Sequence, residues 1–185
     1  MAPSWASIRQ CPLKLKGIAL PVCEHQRMEG DRVEIRAAEE RDRRPLADLL
    51  AAVAEERDGI ATEPPIDVEE RARTWKLDGT LVAVASEDVV GSLHVEPSRF
   101  GFGEFGMMVA RDWRGRGVGS ALVAAAIEWG RENGLHKLTL SVFPHNAAAI
   151  SLYRKFGFAE EGRREKQIRR TNGEIWDLIE MGLRL

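Results

Sequence analysis

The segment Arg114–Ser120 has glycine at every second position and follows an apolar run that ends at Val109. The next stretch, 121–129, is alanine-rich and has the composition of a helix. A glycine-rich connection between a strand and a helix leaves backbone N–H groups free to bind a phosphate. Two arginines in the segment add positive charge, so the segment is predicted to bind a polyanion. The predicted binding residues are Arg114, Gly115, Arg116, Gly117, Val118, Gly119 and Ser120.

Two common nucleotide-binding loops do not fit this segment. A dinucleotide fold requires G-x-G-x-x-G and an acidic residue for the ribose, whereas here the glycines alternate and position 120 is serine. A triphosphate-binding loop requires a lysine directly before a serine or threonine, and Gly119-Ser120 has none. The simpler alternative is an ordinary glycine turn that caps a helix.

A second distinctive segment runs from Asn146 to Phe158 and reads N-A-A-A-I-S-L-Y-R-K-F-G-F. On a helix, Tyr153 lies seven positions after Asn146, so the two side chains share one face. Together the two segments resemble the R/Q-x-x-G-x-G/A and N-x-x-A-x-x-L-Y-x-K-x-G-F motifs of the Gcn5-related N-acetyltransferase (GNAT) superfamily. The resemblance extends, with the same order of elements, from about Val33 to the C-terminus.

The resemblance implies a donor site for acetyl-CoA. The glycine segment would hold the pyrophosphate, and the preceding strand would splay from its parallel neighbour to leave a slot between 105–109 and 138–142. The Val109 N–H, with Met108 beside it, would lie at the thioester carbonyl and stabilise the oxyanion of acyl transfer. Gly106 would mark a bulge that splays the strand.

The resemblance also implies two catalytic residues. Tyr153, the only tyrosine in the chain, would protonate the departing CoA thiolate; a core tyrosine with a satisfied hydroxyl is the alternative. Glu104 would deprotonate the amine, although strand alternation places it opposite Val109 unless a bulge intervenes, and an exposed carboxylate is equally consistent. Asn146 would cap its helix and bond to CoA, and capping alone also explains an asparagine there. Other candidate bases are Glu55, Glu56, Glu63 and His145.

Hydrophobic periodicity predicts a mixed α/β domain, and the resemblance implies the GNAT acyl-CoA N-acyltransferase fold, a splayed central β-sheet flanked by helices. The predicted strands are Val33–Arg36, Leu81–Ala85, Val89–Val95, Phe102–Val109, Leu138–Phe143, Phe158–Arg170 and Glu174–Leu183. The predicted helices are Glu39–Glu56, Val68–Leu77, Gly117–Glu132 and Ala147–Phe156.

Composition limits the other possibilities. The chain is 44% hydrophobic and 30% charged with a net charge of −2, which is typical of a globular protein and argues against a nucleic-acid partner. It has no apolar run of about 18 residues, so no membrane span or membrane partner is expected. Residues 1–31 are predicted to form an irregular extension and residues 32–185 the acetyltransferase domain. Without a recognisable signal peptide the expected location is cytoplasmic, and Cys11 and Cys23 have no metal-binding spacing, so no metal is expected.

The acceptor is the least specified part of this prediction. Between Glu55 and Glu70 there are seven acidic residues and one basic residue, Arg57. This favours a cationic amine or a peptide N-terminus as acceptor, or else a solvated acidic face. The basic run Arg163–Arg170 is expected to meet a CoA phosphate or the substrate, and an exposed terminal hairpin is compatible with a homodimer.

The sequence therefore predicts an N-acetyltransferase that moves the acetyl group of acetyl-CoA to a primary amine of a small molecule or peptide. No cysteine lies near the two motifs, which favours direct attack over an acyl-enzyme. The alternatives are transfer from another acyl-CoA and a non-catalytic acyl-CoA-binding regulatory module.

Overall fold

A computed structural model describes residues 33–185. The predicted extension, residues 1–31, and both cysteines lie outside the described residues. Within residues 33–185 the elements follow the predicted order, and the mixed α/β class is confirmed. The strands are β1 (Val33–Ala37), β2 (Thr80–Ala85), β3 (Asp88–Pro97), β4 (Phe102–Val109), β5 (Lys137–Val142), β6 (Ala159–Arg169) and β7 (Ile175–Arg184). The α-helices are α1 (Arg43–Glu55), α2 (Val68–Thr74), α3 (Val118–Glu132) and α4 (Ala147–Lys155).

Local hydrogen bonds explain the start of α1. The buried carboxylate of Asp42 accepts two bonds from the Arg36 guanidinium, at 2.6 and 2.8 Å, and one from the Glu39 N–H at 2.7 Å. Burial opposes ionisation of Asp42, but these bonds outweigh it and hold its pKa below the ordinary value. The pair therefore fixes the chain between β1 and α1.

The other helix ends follow from capping residues. Asp67 caps α2 by accepting the Glu70 N–H, and Asn146 caps α4 by accepting the Ala149 N–H at 3.1 Å. The predicted end of α2 at Leu77 is wrong. The helix stops at Thr74 because the next residue, a buried tryptophan, is extended and packs in the cluster under α1.

Helices cover both faces of the sheet. One hydrophobic cluster joins α3 and α4 to the sheet through residues such as Leu122, Ile150 and Phe105. The other joins α1 and α2 to the opposite face through residues such as Leu46, Val82 and Met108. Alternation along β4 thus sends neighbouring side chains to different layers.

Within residues 33–185 the seven strands pair in the order β1-β2-β3-β4-β5-β7-β6. The one parallel contact in this sheet, between β4 and β5, is short and ends at the Glu104–Thr139 pair. Beyond it, β4 stays paired with β3 as far as Val109, and β5 stays paired with β7 as far as Val142. We call the resulting gap between residues 105–109 and 140–142 the wedge.

The wedge has a different origin from the predicted one. The register between β3 and β4 runs without interruption from Gly103 to Val109, so the predicted bulge at Gly106 is wrong. The strands separate because each keeps its other partner, β3 on one side and β7 on the other.

The terminal hairpin places β6 at an edge of the sheet. This strand is exposed, carries many charged side chains and has two register shifts against β7. Charges and bulges discourage edge-to-edge pairing. The edge is therefore protected within the chain itself, and the homodimer stays a prediction.

Candidate active site

The open edge of β4 presents a free backbone N–H to the wedge. The Ala110 N–H donates to the Val90 carbonyl at 2.9 Å, so the neighbouring Val109–Gly91 pair is a non-hydrogen-bonded one. The Val109 N–H and C=O consequently point away from β3, towards the side where pairing with β5 has ended. The Val109 carbonyl accepts the Arg114 Nε–H at 3.0 Å, whereas its N–H has no acceptor in residues 33–185.

Met108 is placed differently from its neighbour. Its N–H faces β3, and its side chain is buried in the cluster under α1. Its predicted contact with the donor stays a prediction.

The glycine segment forms a turn directly after this edge. Gly115 and Gly117 have positive φ values of 74° and 88°, whereas Arg116 between them does not. Such alternation turns successive N–H groups towards one point. In residues 33–185, the first N–H of this region with a helical acceptor is that of Ala121, which donates to the Gly117 carbonyl. The preceding N–H groups without a backbone acceptor in that part of the chain are those of Gly115, Gly117, Val118, Gly119 and Ser120.

The helix adds to this site in two ways. No side chain caps the N-terminus of α3, so its first N–H groups and the positive end of its dipole remain available. The side chain of Val118 is buried in the core, which leaves the surface of this turn to the backbone. The predicted polyanion site is thus made of amides.

The two arginines of the segment have other contacts. Arg114 forms two hydrogen bonds of 2.7 Å with Glu56, and this bonding lowers the pKa of that carboxyl. The charge that Arg114 was expected to offer a phosphate is therefore balanced inside the chain, and a direct phosphate contact stays a prediction. Arg116 lies over the ring of Trp113, with its guanidinium carbon 5.2 Å from the ring centre.

Tyr153 projects from α4 into the base of the wedge. Its ring packs edge-on against Phe105, the first wedge residue of β4, and against Phe158, with ring centres 5.8 and 6.0 Å apart. The residue is 7% exposed, and burial raises its pKa to about 12. The hydroxyl has no hydrogen-bond partner in residues 33–185, yet no fully buried side-chain polar atom there lacks one. The hydroxyl therefore reaches the accessible surface, where a ligand can bond to it.

Glu104 lies on the other face of the same strand. It is the last β4 residue that pairs with β5, and its carboxylate is exposed, with no hydrogen bond or ion pair in the described part of the chain. Because β4 is regular, Glu104 faces the α1 layer while Phe105 and Tyr153 belong to the α3 layer. The two predicted catalytic groups therefore approach the wedge from opposite faces.

Asn146 and His145 lie between β5 and α4. The Asn146 side chain caps α4, as expected, and a bond to CoA stays a prediction. His145 stacks on Phe143 with ring centres 5.4 Å apart, and its Nε2 lies 3.0 Å from a carboxylate oxygen of Asp58.

Most acidic residues of the segment from Glu55 to Glu70 bond to partners within the chain. Glu56 binds Arg114, Asp58 binds His145, and Asp67 caps α2. Glu69 pairs with Arg44, and Glu70 with Arg73. Ion pairs with arginine thus partly balance the negative charge that favoured a cationic acceptor, which weakens that prediction.

A match to a known family accompanies this geometry. The model for the acetyltransferase (GNAT) family matches residues 46–158, more than half of the chain. This range contains β4, the amide turn, α3, β5 and α4.

The chain belongs to the GNAT acetyltransferase family.

Individual relatives agree with this assignment. The chain is 40% identical over 109 residues to the L-amino acid N-acetyltransferase AaaT of Escherichia coli, a match covering 55% of this chain and 65% of that protein. The chain thus spans just under two thirds of this curated relative. A crystal structure of the ribosomal-protein-alanine N-acetyltransferase from Brucella melitensis has a TM-score of 0.74 and 32% identity, over 82% of this chain and 99% of that one. The structure of yncA from Salmonella typhimurium, solved with its cofactor acetyl-CoA, shares the fold, with a TM-score of 0.75, 21% identity and coverage of 83% and 94%.

The GNAT domain also contains a buried arginine that the sequence does not single out. Arg170 is 3% exposed and donates to the backbone carbonyls of Arg57, Ile60 and Ala61 at 3.0 to 3.2 Å. Its guanidinium carbon lies 4.4 Å from the centre of the Trp176 ring. In the sequence Arg170 is only the end of a basic run, and no local signal marks it.

Two other arginines of that basic run make ion pairs across to β7. Arg163 binds Asp177 at 2.7 Å, and Arg164 lies 3.2 Å from Glu180 on β7. These partners balance the charges of both arginines, whereas Lys166 and Arg169 have no ion pair in residues 33–185, so the expected contact of this run with a CoA phosphate or the substrate stays a prediction.

A cavity of about 790 Å³ opens on the α1 face of the GNAT domain beside the end of β4. Its lining combines apolar side chains such as Leu49 and Val90 with the charged residues Glu56, Asp58 and Arg111. Glu104 does not line this cavity, because it lies near the start of β4 whereas the cavity lies beside its end.

Two further properties concern residues 33–185 of the GNAT domain. In this part of the chain no three His, Cys, Asp or Glu side chains are grouped as a metal site would require. None of its helices has both the length and the apolar character needed to cross a bilayer.

Proposed function

We propose that this chain transfers the acetyl group of acetyl-CoA to the primary amine of an acceptor by direct attack. The observation that carries the proposal is the succession, within Val109–Ser120, of an unpaired strand edge and a cluster of free amides. The first suits a thioester carbonyl and the second a pyrophosphate.

Donor binding would use the backbone throughout. The pyrophosphate would accept hydrogen bonds from the turn around Gly117, where close approach meets no side chain and the α3 dipole adds about 0.3–1 kcal/mol. The amide-rich pantetheine arm would pair with the open edge of β4, as an extended peptide pairs with an exposed strand.

The chemistry would then take place in the wedge. The neutral amine attacks the thioester carbon, and the Val109 N–H donates to the oxygen on which negative charge develops. When the C–S bond breaks, the Tyr153 hydroxyl donates to the departing sulfur. The amine loses one proton and the thiolate gains one, so the products are the amide and the free thiol.

The raised pKa of Tyr153 refines this role. A phenol with a pKa of about 12 stays protonated at neutral pH and is always available as a donor. It is also a weaker acid than a thiol, whose ordinary pKa is about 8.5. Tyr153 is therefore proposed to stabilise the thiolate by a hydrogen bond during C–S cleavage, with the amine proton completing the transfer.

Glu104 is the proposed base. Its carboxylate has no partner in residues 33–185, and it lies on the face of β4 opposite Phe105 and Tyr153. Glu56, Glu63 and His145 are less suitable, because each is already bonded within the chain.

The proposed acceptor is an α-amine. AaaT of Escherichia coli is named for L-amino acids, and the Brucella melitensis structure for a ribosomal-protein alanine. A free amino acid and a protein N-terminus both present such an amine. Because arginine ion pairs partly balance the acidic segment, a polycationic acceptor has less support than a free amino acid or a protein N-terminus.

The test is release of free CoA from acetyl-CoA in the presence of a panel of L-amino acids, peptides and polyamines. Acceptor-dependent release with formation of the N-acetyl product is expected. Replacing acetyl-CoA with propionyl-CoA or succinyl-CoA tests the acyl group. Tight acetyl-CoA binding without release for any acceptor would instead support a non-catalytic module.

A further inference from the structure

The connection between α1 and α2 crosses the open end of the wedge. Glu56 reaches Arg114, which follows β4, while Asp58, two residues later, reaches His145, which follows β5. The chain between them, at Arg57, therefore spans from one side of the opening to the other.

Arg57 is held there in an unusual conformation. Its φ is 54°, in the left-handed region that non-glycine residues rarely adopt. The Arg57 N–H donates to the Ala54 carbonyl at 3.0 Å, and its own carbonyl accepts from the buried Arg170. A left-handed residue directly after the C-cap is a common way for a helix to end, and here the two hydrogen bonds fix the backbone of Arg57 at this position.

The guanidinium group of Arg57 is only loosely paired within residues 33–185. Arg170 is 3.5 Å from Glu63, whose carboxylate also accepts from the N–H and hydroxyl of Thr171. Glu63 is thus closer to Arg170 than to Arg57, whose guanidinium lies 3.8 Å from the Glu63 carboxylate. The other contact of the Arg57 guanidinium is a 3.3 Å hydrogen bond to the Thr171 hydroxyl. Two guanidinium groups share one carboxylate, and the half-exposed group of Arg57 is the one with donors left.

We infer that the Arg57 guanidinium binds the carboxylate of the acceptor and makes the site selective for free α-amino acids. The inference rests on the proposed function and narrows its substrate class. A free amino acid carries a carboxylate one carbon from its amine, whereas a peptide N-terminus and a simple amine do not. Planar guanidinium groups bind carboxylates through paired hydrogen bonds.

The experiment compares acceptors that differ only in the carboxylate. Steady-state kcat/KM is measured for an L-amino acid and for its carboxamide, with the wild type, Arg57→Lys and Arg57→Asn. Asparagine tolerates positive φ, so Arg57→Asn removes the charge while keeping the backbone conformation. Lys166→Asn is the matched control, because Lys166 is also a cation at positive φ (52°), on β6.

Arg57→Asn is expected to lower kcat/KM for the amino acid by about 10-fold to 100-fold and to change that for the carboxamide less than about 3-fold. Arg57→Lys should recover part of the loss, and Lys166→Asn should behave as wild type for both acceptors. Each acceptor is compared across variants, so differences in amine basicity cancel. Thermal melting of Arg57→Asn checks that the variant is folded.

The inference is overturned if Arg57→Asn affects both acceptors equally or neither. It is also overturned if the wild type, at equal concentrations of neutral amine, acetylates carboxamides and peptide N-termini at least as well as free amino acids, a result that leaves the proposed function intact. A wild type that releases no CoA with any acceptor overturns the proposed function itself.

Discussion

Replacing Gly117 with alanine is expected to weaken acetyl-CoA binding by a definite amount. Gly117 has a φ of 88°, and a Cβ built there meets no atom within 4 Å. The substitution therefore adds no clash, and its whole effect is conformational. An L-residue in the left-handed region costs about 1–2 kcal/mol.

The empty loop of Gly117→Ala should relax out of this region and must return to it to present its amides. Binding then bears the full cost, which corresponds to a dissociation constant about 5-fold to 30-fold higher. Isothermal titration calorimetry with acetyl-CoA measures this directly.

Gly134→Ala is the matched control at the opposite end of α3. Gly134 also has a positive φ, 72°, and open space around its Cβ. This variant should lose about 1–2 kcal/mol of folding stability and keep the wild-type affinity for acetyl-CoA. If Gly117→Ala also binds acetyl-CoA as wild type does, the amide turn is not the pyrophosphate site.

Three further predictions concern individual side chains. Tyr153→Phe should lower kcat by about 10²-fold to 10⁴-fold with acetyl-CoA affinity and melting temperature nearly unchanged, because the ring contacts remain and no bond of the hydroxyl within residues 33–185 is lost; full activity would contradict its role. Tyr153 acts in its protonated form and its pKa is raised to about 12, so its deprotonation should not lower kcat between pH 8 and pH 10. A loss of kcat in this range that is present in the wild type and absent from Tyr153→Phe would refute the assignment. Asp42→Asn should destabilise the fold by about 1.5–3 kcal/mol in chemical denaturation, because it removes the charged hydrogen-bond partner of the partly buried Arg36. The lowered pKa of Asp42 means that the wild type holds this contribution above the ordinary carboxyl pKa and loses it as the pH falls below that value, so the two proteins should converge in stability at acid pH.

The backbone features that are proposed to bind the donor could be predicted from the sequence because their determinants are local. Glycine at 115 and 117 supplies the positive φ values, and the apolar run up to Val109 fixes the strand that leads into the turn. Asparagine at 146 is a local capping signal and was read correctly as one. Each of these depends on neighbours within a few residues.

The wedge itself was predicted with the wrong cause. Gly106 was expected to distort β4, but the strand is regular and the separation arises from pairing with β3 and β7. These partnerships join segments far apart in the chain, and a single strand pattern does not contain them.

Charge partners were the least predictable part. The composition of the acidic segment predicts a cation site, yet its carboxylates bind groups such as Arg114 and His145, which lie far along the chain. Arg170 is buried for the same reason, because the carbonyls it binds lie more than 100 residues earlier. Only the folded chain shows which charges remain unpaired.

The most direct test of the central claim is a titration of ¹⁵N-labelled protein with acetyl-CoA, followed by amide chemical shifts. We expect the largest changes in chemical shift at the amides of Gly117, Val118 and Gly119 and at that of Val109, with the amide of Gly134 unchanged. Changes confined to the cavity on the α1 face, with the Val109 and Gly117 amides unaffected, would contradict it.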